Sequence, residues 1–173
     1  MRRFSVFFFV FCFVFGWIAA GRGEDVFISK EYAFRIPLPA GGFERIKDNG
    51  TAIALMNKET GSSFAVSVSD DPYISESEKE LSLFYLARGL FIYVDKKEFT
   101  ISEPAEVGGL PGWYIEAKGE VDSVPLAFAA FVVRFNKRIY DIVFWAPPDA
   151  FEADKKIFLS AVSGFSFTEN ARP

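Results

Sequence analysis

Residues 126–146 read LAFAAFVVRFNKRIYDIVFWA, and this stretch decides the fold. Leu126 to Phe135 is apolar on both faces of an extended chain, and Arg138 to Ala146 sets Tyr140, Ile142 and Phe144 against Ile139, Val143 and Trp145. Strands apolar on both faces belong at the centre of a sheet covered on both sides. Asn136-Lys137 is too short and too polar for a crossover, so the two strands form an antiparallel hairpin. Asp141 is the exception within it, and as a lone acid it reads as an exposed or hydrogen-bonded carboxylate near a strand end, not as a catalyst.

The same reading extends outward. Tyr32, Phe34, Ile36 and Leu38 alternate on one face of a strand, which Pro37 places at an edge or makes irregular at its end. Thr51–Asn57 and Phe64–Asp70 flank a glycine-containing turn at Lys58–Ser62, a second hairpin. Ser75 caps a first helix with Glu78 at the third position of a capping box, and Leu81, Phe84, Tyr85, Arg88, Phe91 and Ile92 form its stripe. Phe99–Val107 is a further strand, followed by a compact turn at Gly108–Gly112 and a strand over Trp113–Val121. That last strand alternates, with Trp113, Ile115, Ala117 and Val121 on one side and Tyr114, Glu116, Lys118 and Glu120 on a side expected to be wet. After Pro147-Pro148, Asp149 and Glu152 form a capping box for a closing helix faced by Ala150, Ala153, Ile157, Phe158, Ala161, Val162 and Phe165, with Gly164 as its C-terminal cap. Sheet, helix, sheet and helix in this order give an α+β fold in one domain.

The order of these landmarks resembles a known family. The Tyr32–Pro37 segment, a helix, the Gly109-Leu110-Pro111-Gly112 turn, the hairpin ending Ile139–Pro147 and a closing helix with Phe158, Phe165, Ser166 and Phe167 are similar to the PsbP, Mog1 and DcrB-like superfamily, over about Phe27 to Phe167. The resemblance implies a central antiparallel β-sheet flanked by helices, a Mog1/PsbP-like α/β/α sandwich. It also implies non-enzymatic roles: photosystem assembly factors, a Ran-binding nuclear protein and bacterial envelope proteins. No functional residue of the family carries over by motif.

Export is written at the start of the chain. Arg2 and Arg3 precede an uncharged run from Phe4 to Ala20, the n-region and h-region of a secretory signal, so residues 1–21 are read as a signal peptide and 22–173 as the single domain. Ala19 and Gly21 suit cleavage after Gly21, Ala20 offers an alternative, and retention as an inner-membrane anchor is the competing outcome. The expected location is the periplasm or the extracellular space, in the bacterial envelope branch of the family, with membrane contact only if the leader is retained.

Composition then limits the chemistry. The chain has no histidine, and Cys12, its one cysteine, lies in the leader. A Ser-His-Asp triad, a Cys/His dyad and a zinc site of the usual nitrogen and sulfur type are therefore excluded within one mature chain. Without Arg2 and Arg3 the chain keeps 17 basic against 23 acidic residues, a formal charge of −6 over 152 residues, which argues against nucleic acid as a partner. No cofactor and no catalytic residue are expected. The reading is a non-catalytic exported module that binds another envelope protein or assists an assembly, with Tyr114, Glu116, Lys118 and Glu120 as its candidate contact face. The alternative is a carboxylate-dependent hydrolase or a small-ligand or calcium-binding protein, for which Asp70, Asp71, Glu76 and Glu78 are the candidate metal ligands although their spacing is not that of an EF-hand. A Ser160 with Lys155-Lys156 pairing has nothing to orient it.

Overall fold

Strands β8 (Val124–Phe135) and β9 (Arg138–Ala146) form the expected hairpin, with Ala130 opposite Val143 and Val132 opposite Asp141. The computed structural model describes residues 25–48, 50–71 and 79–168. Its other elements are β1 (Val26–Ser29), β2 (Phe34–Pro37), β3 (Phe43–Ile46), β4 (Ile53–Asn57), β5 (Ser63–Asp70), α1 (Lys79–Gly89), β6 (Asp95–Val107), β7 (Leu110–Val121), α2 (Pro148–Ser163) and β10 (Ser166–Phe167). Seven strands form one antiparallel sheet in the order β3-β4-β5-β9-β8-β7-β6, and β1, β2 and β10 form a small second sheet.

Both faces of the large sheet are buried, which is why its central strands can be apolar at every position. On one face lie α1 and a cluster of Leu83, Ala87, Phe91, Ile115, Phe128, Val132 and Ile139. On the other lie α2 and the small sheet, over Phe34, Ile36, Phe64, Tyr140, Ile142, Phe144 and Phe158. Phe158 is the hub of that layer, with ring centroids 5.3 Å from Phe144, 5.5 Å from Phe64 and 6.0 Å from Phe131. The result is the expected α+β sandwich of a central antiparallel sheet between helices.

Three consecutive hairpins are closed by two-residue turns with left-handed backbone: Gly108-Gly109, Asp122-Ser123 and Asn136-Lys137. That geometry matches the twist of the flanking strands. The first turn is thus shorter than expected, because β7 starts at Leu110 and extends through Pro111-Gly112. The outer strand β6 protects its open edge with Asp95, Lys96, Lys97, Glu98, Glu103, Pro104 and Glu106 and with two irregularities of register.

Other expectations shift in detail. β2 is the middle strand of the small sheet, yet Pro37 pairs only with Val26 because β10 reaches no further than Arg35 and Phe34. The stripe of α1 is rotated from the expected one: Leu83, Ala87 and, just past the helix, Phe91 are buried, whereas Tyr85 and Ile92 are 63% and 68% exposed. The Ser75 cap with Glu76 and Glu78 lies outside the described residues. No Asp149–Glu152 box starts α2. Pro147 is the N-cap, its carbonyl accepts the Ala150 and Phe151 N–H groups at 3.0 and 3.1 Å, and Pro148 takes the first helical turn, where a missing N–H costs nothing. Gly164 does end the helix, but with φ −94°, so left-handed freedom is not its reason. A Cβ there would stand 2.5 Å from Pro37 Cγ, and only glycine lets α2 and β2 approach so closely.

Candidate functional site

The expected contact face on β7 divides where α2 crosses it. Tyr114, Glu116, Lys118 and Glu120 do share one side of the strand, but Tyr114 and Glu116 are buried beneath α2, while Lys118 is exposed and Glu120 partly so. The expectation of a wet face is therefore corrected for its first half, since alternation assigns residues to a face and cannot show what covers that face.

The covered half is a polar staple. The Tyr114 hydroxyl donates to Glu116 Oε1, and Lys155 of α2 donates to both carboxylate oxygens of Glu116 at 3.1 and 3.3 Å and to Glu152 at 3.1 Å. Burial raises the Tyr114 phenol well above its usual range, helped by its bond to Glu116 and that carboxylate's charge. Burial works against the Lys155 ammonium, but its hydrogen bonds to Glu152 and Glu116 and their charges outweigh it and raise its pKa. These groups saturate one another and hold α2 to β7. Immediately before Lys155 on α2, the buried Asp154 accepts hydrogen bonds from Thr60 Oγ1 at 2.7 Å and Ser62 Oγ at 2.6 Å, tying the helix to the β4–β5 turn. Lys155 thus belongs to a structural ion pair, not to a nucleophilic pair with the exposed Ser160.

Of the four acids proposed as metal ligands, Glu76 and Glu78 lie outside the described residues. Asp71 makes a salt bridge of 2.8 Å with Arg134 Nε, and Asp70 is exposed at the end of β5. Among the described residues no three acidic side chains come together as metal ligands would.

A different site stands on the opposite face of the sheet. Asp141 lies on the α1 side of β9, between Ser67 of β5 and Val132 of β8. The residue is half-buried, and its Oδ1 is sealed from solvent with no hydrogen-bond partner among the described residues. Burial pushes the carboxyl up to about 6. A carboxylate oxygen sealed without a partner is costly and calls for an explanation. Asp141 and Asp70 line a cleft of about 320 Å³, whose other walls are Ser69, Tyr85, Leu86, Gly89, Leu90 and Ile139. Past the end of α1, Ile92 and Tyr93 project into solvent, Tyr93 with 88% of its surface exposed. The sequence signal for this site was Asp141 itself, the one acid inside an otherwise apolar strand.

No protein-family model and no curated protein sequence matches the chain. Solved structures do. The mycobacterial protein LpqN, described as involved in cell envelope biogenesis of Mycobacterium tuberculosis, is 10% identical, covers 86% of this chain with 87% of its own, and superposes with a TM-score of 0.61. The cyanobacterial PsbP of Synechocystis sp. PCC 6803 gives 12% identity, 83% and 91% coverage and a TM-score of 0.60. The Ran-binding protein Mog1p of Saccharomyces cerevisiae gives 10% identity, 85% and 96% coverage and a TM-score of 0.58. The chain has the PsbP/Mog1/DcrB-like fold. At such identities the likeness is one of fold alone, and it agrees with the resemblance read from the β2 segment, the β8–β9 hairpin and the closing helix.

Proposed function

We propose that the chain is an exported, non-catalytic module of the bacterial envelope that binds another envelope protein or assists its assembly. The observation that carries this reading is the cleft between α1 and β9, where exposed Tyr85 stands over an acid whose Oδ1 has no partner among the described residues, with exposed Ile92 and Tyr93 following α1. Exposed aromatic groups grouped around a pocket are the usual anchors of a protein contact, whereas single exposed apolar residues need no explanation. The Arg2-Arg3 start and the apolar run to Ala20 support export, and the described fold is shared by an envelope-biogenesis protein and by a Ran-binding protein. Lys118 and Glu120 at the open end of β7 remain candidates for a peripheral contact.

A photo-crosslinking residue placed at Tyr93 in growing cells tests the reading. A discrete adduct of the full chain with one envelope protein is expected. Absence of any discrete adduct across several growth conditions would overturn it. The mass of the isolated protein tests the leader separately: cleavage after Gly21 leaves Arg22 as the first residue, and an intact mass would mean an anchor.

One observation favours acid-based hydrolysis as a second reading. Asp141 lines a cleft, and a carboxyl raised to about 6 suits a general acid. Turnover of chromogenic glycosides or esters that Asp141→Asn abolishes would establish it; no turnover by the unaltered chain would remove it.

A further inference from the structure

We propose that the Asp70–Asp141 cleft is a socket for one arginine or lysine side chain of the partner protein, with Tyr85 as its apolar rim. The inference rests on the protein-binding reading above and specifies the chemistry of the contact.

The first argument is the unanswered charge. Asp141 Oδ1 is buried without a hydrogen bond, in a position where both neighbouring strands offer only Ser67 and Val132 across from it. The cations of the surrounding elements are engaged elsewhere. Arg88 of α1 lies over the Phe84 and Phe99 rings, 5.4 and 4.0 Å from their centroids. Arg134 of β8 binds Asp71, and Arg138 of β9 donates to the Glu31 carbonyl at 3.0 Å and lies over the Tyr32 ring. Among the described residues, then, these three arginines are committed elsewhere and none reaches Asp141 Oδ1.

The second argument is the shape and lining of the cleft. Leu86, Leu90 and Ile139 line it together with Asp70 and Asp141. Apolar walls with a carboxylate floor match a long side chain that buries its hydrocarbon stem and carries its charge at the tip. At about 320 Å³ the volume is at the lower end of ligand pockets, which run upward from about 300 Å³, and suits one side chain better than a large ligand. Glycine at position 89 leaves the mouth open, since a Cβ there would meet nothing within 4 Å.

The third argument separates a protein from a free amine. A small cation would use the floor and leave the rim idle, whereas Tyr85, which lines the cleft and is 63% exposed, extends the apolar surface outward from it. A cationic residue flanked by apolar neighbours on the partner would use both. The ionised Asp141 and the incoming cation would each offset the other's desolvation, the condition under which a buried charge pair favours association.

The probes are two peptides, acetyl-Leu-Arg-Leu-amide and its counterpart with citrulline, the uncharged isostere of arginine, titrated calorimetrically into the purified full chain at neutral pH. The arginine peptide should bind at least tenfold more tightly. Asp141→Asn should abolish the preference and Asp70→Asn should reduce it, while the thermal transition of each variant stays at or above that of the unaltered chain. Equal binding of the two peptides, or a preference that survives Asp141→Asn in a folded protein, would overturn the proposal. Butylguanidinium binding as tightly as the peptide would overturn the docking role of the rim. In cells, the Tyr93 adduct should be lost on Asp141→Asn. An undiminished adduct would refute the socket while leaving the protein-binding reading intact, and an arginine preference without any adduct would refute the partner and leave only a site for free cations.

Discussion

Replacing Asp141 by asparagine should make the protein more stable at neutral and alkaline pH, by an amount that the structure sets. The carboxyl titrates at 3.8 when unperturbed and at about 6 in the fold, because burial disfavours its charged form. Each pKa unit corresponds to about 1.4 kcal/mol, so the ionised carboxylate weighs against the folded state by about 3 kcal/mol once both states are ionised. The sign follows from the protons bound. Between the two pKa values the folded chain holds the proton that the unfolded chain has lost, so stability falls as pH rises through this window and the full cost stands above it. Asparagine cannot ionise and escapes that fall, although its own buried amide offsets part of the gain by about 1–3 kcal/mol at every pH.

The pH-dependent part of the difference between variant and parent is therefore the clean quantity. Roughly 2 kcal/mol of it should accumulate between about pH 4.5 and about pH 8. Urea denaturation of both proteins across that range measures it, with the m-value checked for constancy. Asp70 lines the same cleft, so the pair is repeated in an Asp70→Asn background; Ser67, Val132, Leu86 and Leu90 on the surrounding elements do not titrate. A difference that is flat with pH, or one that grows toward acid, would refute the assignment of Asp141 as an unpaired buried charge.

Three further outcomes follow from the packing. Lys155→Met should destabilise the fold by about 3–5 kcal/mol by leaving Glu116 charged and buried, and Glu116→Leu combined with it should recover most of that loss in the same urea titration. Phe158→Ala, at the meeting point of Phe64, Phe131 and Phe144, should cost about 3–5 kcal/mol and lower the midpoint without changing the secondary structure seen by circular dichroism. Gly164→Ala should cost about 1–3 kcal/mol because its methyl group meets Pro37, whereas Gly89→Ala, which meets nothing, should raise the thermal midpoint and gain up to about 1 kcal/mol.

The parts of the fold legible in the sequence are those where one period dominates. The β8–β9 hairpin could be placed nearly to the residue because two long apolar runs are separated by Asn136-Lys137 alone. β1 and β3 could not, since four residues such as Phe43-Glu44-Arg45-Ile46 hold too few turns of alternation to stand out and form only because β4 offers a partner edge. In α1 the existence of a helix was legible and its rotation was not. Apolar residues occur on nearly every side of Leu81–Phe91, so the sheet, by accepting Leu83 and Ala87, decides which side turns inward. The site divides in the same way. Asp141 is conspicuous in the sequence, but its lack of a partner depends on where Arg88, Arg134 and Arg138 point, which only tertiary structure determines. The burial of Tyr114 and Glu116 depends on where α2 comes to rest.

The small sheet joins β2 to β10, so Phe34 and Arg35 wait for Phe167 and Ser166, the latter 131 residues beyond Arg35. Phe165 and Phe167 also supply rings against Phe34, Tyr140 and Phe135. A chain synthesised only as far as α2 therefore lacks part of one face of its core, and early, tight folding is disfavoured. The distance along the chain between β2 and β10 acts as a timer, keeping the domain loose until β10 is made and letting that short strand close it.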